Sequence, residues 1–476
     1  MEAPGSKAEL EKPIAKEDKI PLLEKVIFAS GDMAFNLIWM PLAIYANPFF
    51  TDICGIPVGW VAAIFLFIRV LDLPADIVVG VIADHTTPRQ KLGKFRLYMA
   101  YGAIPLGIIS AAMFYSPNLA TEGKAIWLFV TYLLVSLLYS ATNVPYSAQM
   151  KIMSPDHRER NMLAAFRMVG AQLGVLIVSA GMLKLVSFLG GGNQKAGYFY
   201  TTSLFGLIVI VCLYLTALWA KDRTKPEAVD WPTTKKNLVE MAKCSVWWIL
   251  LVTGLFTILV YTMRFGAIVY YIKYYMDPGA IASWGGKDEV ASIFFTSGTI
   301  CALAGSALYA PIARMFDKKW IYIVVVGLST AASIVFAFVP RDGVGMLIAI
   351  QVAFSTLMGP TGAIMFSMYT DVADYLKVKN GNDTEGVAMA VGSFCNKLGW
   401  SIGPTISLIV MSVLGYVPDA PQSKDILNAL VATLSWGPAA ACIVSIVFML
   451  LYPLNRKKMN EITTTLKARV AAAAGQ

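Results

Sequence analysis

Apolar runs of roughly 20 to 30 residues, separated by short polar stretches, repeat along the whole chain. They cover 24–51, 58–83, 97–116, 125–149, 161–188 and 197–220 in the first half. In the second half they cover 245–275, 290–313, 320–340, 345–369, 386–415 and 427–453. An α-helix rises about 1.5 Å per residue, so about 20 apolar residues span the ~30 Å hydrocarbon core of a bilayer. Backbone polar groups in that core must be paired within their own segment, which favours helices. The pattern predicts an all-α membrane protein with twelve transmembrane helices. The longest polar stretch, Lys221 to Lys243, falls near the middle. It divides the chain into a tail (1–23), a six-helix bundle (24–220), a linker (221–244), a second six-helix bundle (245–453) and a second tail (454–476).

Composition agrees. Of 476 residues, 57% are apolar and 14% charged, against about half and about a quarter in soluble proteins. This excludes a water-soluble enzyme, a disordered chain and a disulfide-stapled secreted domain. The formal charge of +9 is decided by where the cations sit. Most of the 39 Lys and Arg lie in the two tails and in every second loop. The intervening loops hold only Lys124, Lys195, Lys287, Arg341 and Lys424. That bias places both termini on the cytoplasmic face of a multi-pass inner-membrane or plasma-membrane protein, with no nucleic-acid partner. The N-terminal acids Glu2, Glu9, Glu11, Glu17 and Asp18 fit neither a secretory signal nor an acid-poor presequence.

Enzyme chemistry finds no support. The two histidines, His85 and His157, form no paired-histidine motif, and no phosphate-binding loop or nucleophile elbow is present. The six cysteines have no metal-ligand spacing and read as small packing residues. Neither catalytic activity nor a cofactor is expected.

Ionisable groups inside the spans cost a few kcal/mol each and need a partner or a wet cavity. The densest cluster is RVLDLPADIVVG, residues 69–80. Asp72 and Asp76 are four apart and share a helix face, with Arg69 one turn before. Two hard oxygen ligands at this spacing suit Na+, and a carboxylate equally suits a proton. A structural Asp–Arg bridge is the alternative. Next, Gly80 and Asp84 lead into the basic loop PRQKLGKFR, and GSALYAPIARMFDKK (305–319) echoes it in the second half. Such recurrence indicates internal duplication.

That loop resembles the one between spans two and three of the major facilitator superfamily. The ordered set GDMAFNLIW (31–39), FFTDICG (49–55), RVLDLPADIVVG, GKFR (93–96), NVPYSA (143–148) and HRERNMLAAFR (157–167) narrows the resemblance. So do RFGAIVYYIKYY (264–275), TDVADY (370–375), EG (385–386) and NKLGWSIG (396–403). Together these resemble the glycoside–pentoside–hexuronide:cation symporters, the melibiose permease type. The resemblance implies the major facilitator fold and symport of H+ or Na+ with a sugar-type solute (glycoside, oligosaccharide or hexuronide) by alternating access. Eukaryotic lysolipid and sucrose carriers share part of the pattern, so a carrier of a lysolipid or other amphipathic solute is the alternative.

The resemblance further implies that Asp72 and Asp76, with Ser140, hold the cation. Possible Na+ at those aspartates is the only metal expected. The family's Asn between the aspartates is Ala75 here, and its acid of span four is Asn143, which tilts the coupling ion toward H+. Its sugar-binding acid of span one is Asn36, its neighbouring Lys is Phe35, and two sugar-facing tryptophans are Ser147 and Gly362. Galactoside recognition therefore does not transfer. Arg167 and Lys397 match the family's intramembrane cations. Asp84, Arg89, Lys94 and Arg96 are expected to gate the cytoplasmic side. Asp371 and Asp374 are expected to latch to Arg158 or Arg160 there.

Sugars need hydrogen-bonding side chains and an aromatic face. Substrate candidates are Asp32, Asn36, Asn143, Arg167, Arg264 and Lys397, with Trp39, Tyr146, Tyr271 and Trp400 as faces; Tyr274 and Tyr275 read as an interfacial belt. Loss of two acids with retention of three cations suits an acidic sugar; alternatively those cations neutralise the aspartates. The expected partners are a small solute, probed as a sugar, and the lipid bilayer, with the chain acting as a monomer.

Overall fold

The structure, a computed structural model, describes residues 19–85, 93–224, 231–381 and 384–474. Every element of secondary structure among them is helical. The first half contains α1 (Leu22–Ile44), α2 (Val58–His85), α3 (Arg96–Met113), α4 (Thr121–Met153), α5 (His157–Gly190) and α6 (Gln194–Trp219). Beyond α1 the chain continues through Ala46–Pro48 into a π-helical turn, Phe49–Ile53. A linker helix, Trp231–Ala242, precedes the second half. There follow α7 (Ser245–Tyr274), α8 (Lys287–Met315), α9 (Lys318–Phe336), α10 (Val344–Met358 and Thr361–Asn380) and α11 (Glu385–Val413). Then come α12 (Lys424–Leu434 and Trp436–Leu451) and a tail helix, Arg456–Ala474.

Ten helices among the described residues are long and apolar enough to cross a membrane: α1, α3 to α10, and α12. The other two long helices, α2 with 28 residues and α11 with 29, carry Arg69, Asp72 and Asp76 in one and Lys397 in the other. Large apolar side chains such as Phe188, Phe338 and Val413 face outward, as expected of helices solvated by lipid tails. Several helix starts are set by short polar side chains that accept from the first turn: Asp156 on α5, Asn193 on α6, Asp317 on α9 and Ser423 on α12.

The sequence patterns Gly359-Pro360, Gly403-Pro404 and Asn143-x-Pro145 predict breaks in spans ten, eleven and four, and only the first is a break. Gly359-Pro360 separates the two pieces of α10. Pro145 and Pro404 lie inside continuous helices. At Pro404 the Asn47 side chain of the first half donates to the proline's own carbonyl at 3.3 Å, a contact between the halves. A break that the apolar pattern does not signal occurs at Ser435 in α12, where the hydroxyl returns to the Val431 carbonyl at 2.6 Å.

The two halves are packed alike. Helix α1 packs on α5, α2 on α4 and α3 on α6; correspondingly α7 packs on α11, α8 on α10 and α9 on α12. Contacts between halves pair α2 with α11 and α5 with α8. The repeat extends to side chains. Arg96, at the start of α3, donates to the carbonyls of Ala217 and Leu218 at the end of α6 (both 2.5 Å). Lys319, at the start of α9, donates to Leu450 and Tyr452 at the end of α12 (2.9 and 2.7 Å). Both place a cation on the unsatisfied carbonyls of a helix C-terminus. This equivalence supports the duplication inferred from the two Gly–Asp–basic segments, and it gives Arg96 a structural duty within its own half.

Close backbone approach explains the small residues on α5. A Cβ on Gly170 would fall 2.1 Å from the Ala29 carbonyl oxygen of α1, and one on Gly174 2.7 Å from that of Met33. Gly181, on the same helix, meets nothing within 4 Å. Gly170→Ala is therefore expected to destabilise by about 1–3 kcal/mol, and Gly181→Ala to be neutral. Thermal unfolding of the two variants in one detergent checks this.

Candidate functional site

On α2 the two aspartates share a face but have different partners. Asp72 Oδ1 accepts from Ser136 at 2.5 Å and from Ser140 at 3.3 Å, while its Oδ2 lies 3.5 Å from Arg69. The Arg69 guanidinium stacks over Trp39 at 4.3 Å and Tyr132 at 5.4 Å. Asp76 pairs through Oδ2 with Lys397 of α11, an ion pair that joins the two halves. Its other oxygen, Oδ1, is buried without a hydrogen-bond partner. Ser140 lies beside Asp72. Ser136 was missed, although it precedes Ser140 by one helical turn and the same i,i+4 rule finds it. Trp39 faces Arg69. Among the described residues no three acidic, His or Cys side chains gather as a metal site.

A second ionic cluster lies inside the first half. Arg167 of α5 grips Asp32 of α1 with two hydrogen bonds, 2.6 and 3.1 Å, and reaches Ser147 at 3.3 Å. The Tyr146 hydroxyl stands 2.8 Å from Asp32 and 2.7 Å from the Phe28 carbonyl, with Arg167 at 4.6 Å over its ring. Tyr146 is fully buried. It offers no face to a sugar, which corrects the sequence expectation: ring and hydroxyl are both consumed in tying α4 to α1. Asn36 donates to the Asp32 carbonyl one turn back. Asn143 is half-buried on α4.

The aromatic stripe expected on α7 divides three ways. Arg264 is buried between Phe354 and Phe336 and donates to Gln351 at 3.0 Å. Tyr271 is buried and stacked on Tyr275, ring centres 4.6 Å apart, so it too is removed from the substrate candidates. Tyr274 is no interfacial belt residue. Its hydroxyl donates to Asp52 at 2.8 Å, within a network that closes the end opposite the basic loops. Asp52, on the π-helical turn, also receives Lys273 (2.5 Å) and Tyr416 (2.6 Å) from the second half, and Thr51 meets Tyr270 at 2.8 Å. Lys273 is shared with Asp419 at 2.6 Å. At the same end, Lys184 pairs with Glu289 and Ser292 bonds to carbonyls of α5. Asp52 within FFTDICG and Lys273 within the tyrosine run were the only signals of this seal.

A cavity of about 330 Å³ is built mainly from α7, α8, α10 and α11, with Met40, Gln172 and Val175 facing them from the first half. Its aromatic wall is Trp400 stacked on Phe265 (5.6 Å, 19°), which stacks on Phe295 (5.6 Å, 16°). Gln351, Ser355, Asn396 and Tyr261 supply polar atoms, and the Asn396 carbonyl oxygen is buried without a partner. Among the described residues no charged side chain lines this space. Trp400 lines this space, whereas Arg167, Arg264 and Lys397 are engaged elsewhere. Phe265 and Phe295 were missed because an apolar residue in an apolar span resembles a lipid-facing one.

The expected gate is partly described. Asp371 pairs with Lys318 at 2.8 Å within its own half rather than with the expected Arg158 or Arg160. The two arginines occupy the first turn of α5, Asp374 lies one turn beyond Asp371 on α10, and Lys94 lies 5.4 Å over Phe95. Arg89 and the Asp84 side chain lie outside the described residues.

A family model described as MFS/sugar transport protein matches residues 27–456. The chain is similar to the inner membrane symporter YicJ of Escherichia coli (strain K12), 28% identical over 436 residues, covering 91% of this chain and 92% of that protein. It is similar to the isoprimeverose transporter of Lactiplantibacillus pentosus, 27% identical over 454 residues, with 93% and 91% covered. The crystal structure of a D-xylose-proton symporter shares the fold, with TM-score 0.63 at 13% identity over 91% of this chain and 98% of that one.

The Asp32–Arg167 pair is a half-buried structural clamp, so removing one partner leaves the other charge without its counter-charge. Asp32→Leu is expected to destabilise by about 3 kcal/mol, and adding Arg167→Met to recover most of the loss. Thermal unfolding of the single and double variants tests it.

Proposed function

We propose that this chain, which belongs to the MFS/sugar transport protein family, is a proton-coupled symporter of a neutral glycoside. That it is a multi-pass membrane transporter of the sugar-transport type, rather than an enzyme, follows from the family match and the ten membrane-length helices. The proposal adds the coupling ion, the solute charge and the cycle. In it, α1 to α12 each cross the bilayer, both tails and the linker lie in the cytoplasm, and the protein works as a monomer.

The observation that carries the reading is the Asp76–Lys397 pair. It joins the halves, and Lys397 adjoins Asn396, which lines the cavity. A proton on Asp76 removes its attraction for Lys397, so ion binding, contact between halves and the cavity wall are linked through α11. Both aspartates of α2 already carry protein cations, and a proton neutralises Asp76 without needing the several oxygen ligands a metal ion takes. For the solute, stacked aromatic rings and uncharged polar atoms favour hydroxyl-rich neutral molecules. An acidic sugar finds no cation on this wall. The network around Asp52 supports a state closed on the outer face, with the cavity reached from the cytoplasm.

In proteoliposomes, an imposed pH gradient, acid outside, is expected to drive accumulation of isoprimeverose or D-xylose, and a Na+ gradient at fixed pH to have no effect. Asp76→Asn is expected to abolish accumulation by at least tenfold while leaving sugar exchange. Accumulation driven by Na+ alone, or protection from thermal unfolding by lysolipids and not by sugars, sinks the reading.

The outer seal yields a separate expectation. Lys273→Met leaves Asp52 with hydroxyl donors but without its cation, and so weakens the closed state. A shift of about 1.4 kcal/mol raises the outward-open population about tenfold while that state remains the minor one. Labelling of Phe295→Cys by an impermeant maleimide from the outer side, in a cysteine-free background, is expected to accelerate accordingly.

A further inference from the structure

Arg264 is a buried cation that faces no carboxylate among the described residues. Only 3% of its surface is exposed, and its guanidinium lies 4.2 Å from the ring centre of Phe354 and 4.8 Å from that of Phe336. Its Nη2 donates to Gln351 Oε1, and its Nε and Nη1 meet no acceptor. The two rings compensate part of the charge. A cation kept at such cost marks a role.

Gln351 is the residue through which Arg264 meets the cavity. Gln351 and Ser355 line that space and Arg264 stands behind them. A guanidinium has donors only, so it holds the amide by its oxygen and turns the NH2 group toward Ser355, whose hydroxyl accepts at 3.0 Å. One of the two amide hydrogens remains. Gly298 on α8 leaves room for this arrangement, since a Cβ there would fall 2.6 Å from Gln351 Nε2.

We propose that Gln351 is a specificity-determining residue, its remaining amide hydrogen donated to an oxygen of the bound solute. Arg264 is the positioning residue that keeps a donor, rather than the carbonyl, facing the cavity. This rests on the reading of the cavity as the sugar site. A solute presenting a hydroxyl or ether oxygen there is accepted, and one presenting a C–H leaves a buried donor unpaired and is rejected.

The decisive variant is Gln351→Glu. The carboxylate gives Arg264 a counter-charge and removes the donor. The expected result is an unfolding temperature at or above that of the wild type, with affinity for isoprimeverose weakened about tenfold. Exchange at saturating sugar should stay within about twofold of the wild type. Gln351→Leu is expected to weaken binding equally. Arg264→Met should weaken binding, Arg264→Lys should restore it to within about threefold, and Arg264→Met with Gln351→Leu should be no weaker than Gln351→Leu alone. Wild-type affinity in Gln351→Glu or Gln351→Leu, or losses that multiply in the double variant, overturns the inference. A wild type bound by neither isoprimeverose nor D-xylose overturns the sugar reading first, which separates the two failures.

Discussion

Charges inside an apolar slab need counter-charges or, as at Arg264, aromatic and amide partners, and this constraint orders the rest of the molecule. The pairs lie where helices meet. Asp32 and Arg167 tie α1 to α5, and Tyr146 brings in α4. Asp72 gathers Arg69 of its own helix and two serines of α4. These clamps lie within the first half and hold it as a body. Three pairs, Asp76–Lys397, Asp52–Lys273 and Lys184–Glu289, join the first half to the second. Any relative motion of the halves must break or exchange them, which makes them the contacts that distinguish one state from another.

The same constraint decides the character of the cavity. Every cation that the sequence offers as a substrate ligand is already engaged: Arg167 with Asp32, Lys397 with Asp76, and Arg264 behind Gln351. The wall left to a solute is made of amides, hydroxyls and the stacked rings of Trp400, Phe265 and Phe295. A neutral wall does not imply a weak site. An unpartnered carbonyl oxygen on Asn396 and an amide hydrogen on Gln351 each leave a polar group that a hydroxyl satisfies.

Helices were legible in the sequence because a bilayer-length apolar run has few other uses, and the charged face of α2 was legible because spacing of four places Asp72 and Asp76 together. The partners of the charges were not. A polar residue in a span is satisfied either by another side chain or by a wet cavity, and the one-dimensional pattern is identical for both. That ambiguity moved Tyr146, Tyr271 and Arg264 out of the cavity and Tyr274 into the outer seal. Proline was equally ambiguous. Gly359-Pro360 ends a helix, whereas Pro145 and Pro404 are carried inside continuous ones. The cap by Arg96 and its counterpart Lys319 were visible only as basic loop residues.

The duplicated scaffold has divided its labour. Packing repeats from α1–α5 to α7–α11 and from α3–α6 to α9–α12, yet the paired aspartates lie in the first half and most of the neutral cavity wall in the second. Lys397 crosses that division. It belongs to the helix that carries Asn396 and Trp400, and its charge sits on Asp76. On the proposed reading, a proton arriving at Asp76 acts on the solute through this one helix. α11 is held to α2 by an ion pair that protonation weakens, and it shapes the wall that the solute touches. Coupling then needs no long chain of intermediates. It needs only that the residue released by the ion and the residues that hold the sugar share a rigid helix, spaced by one position at Asn396 and by about one turn at Trp400.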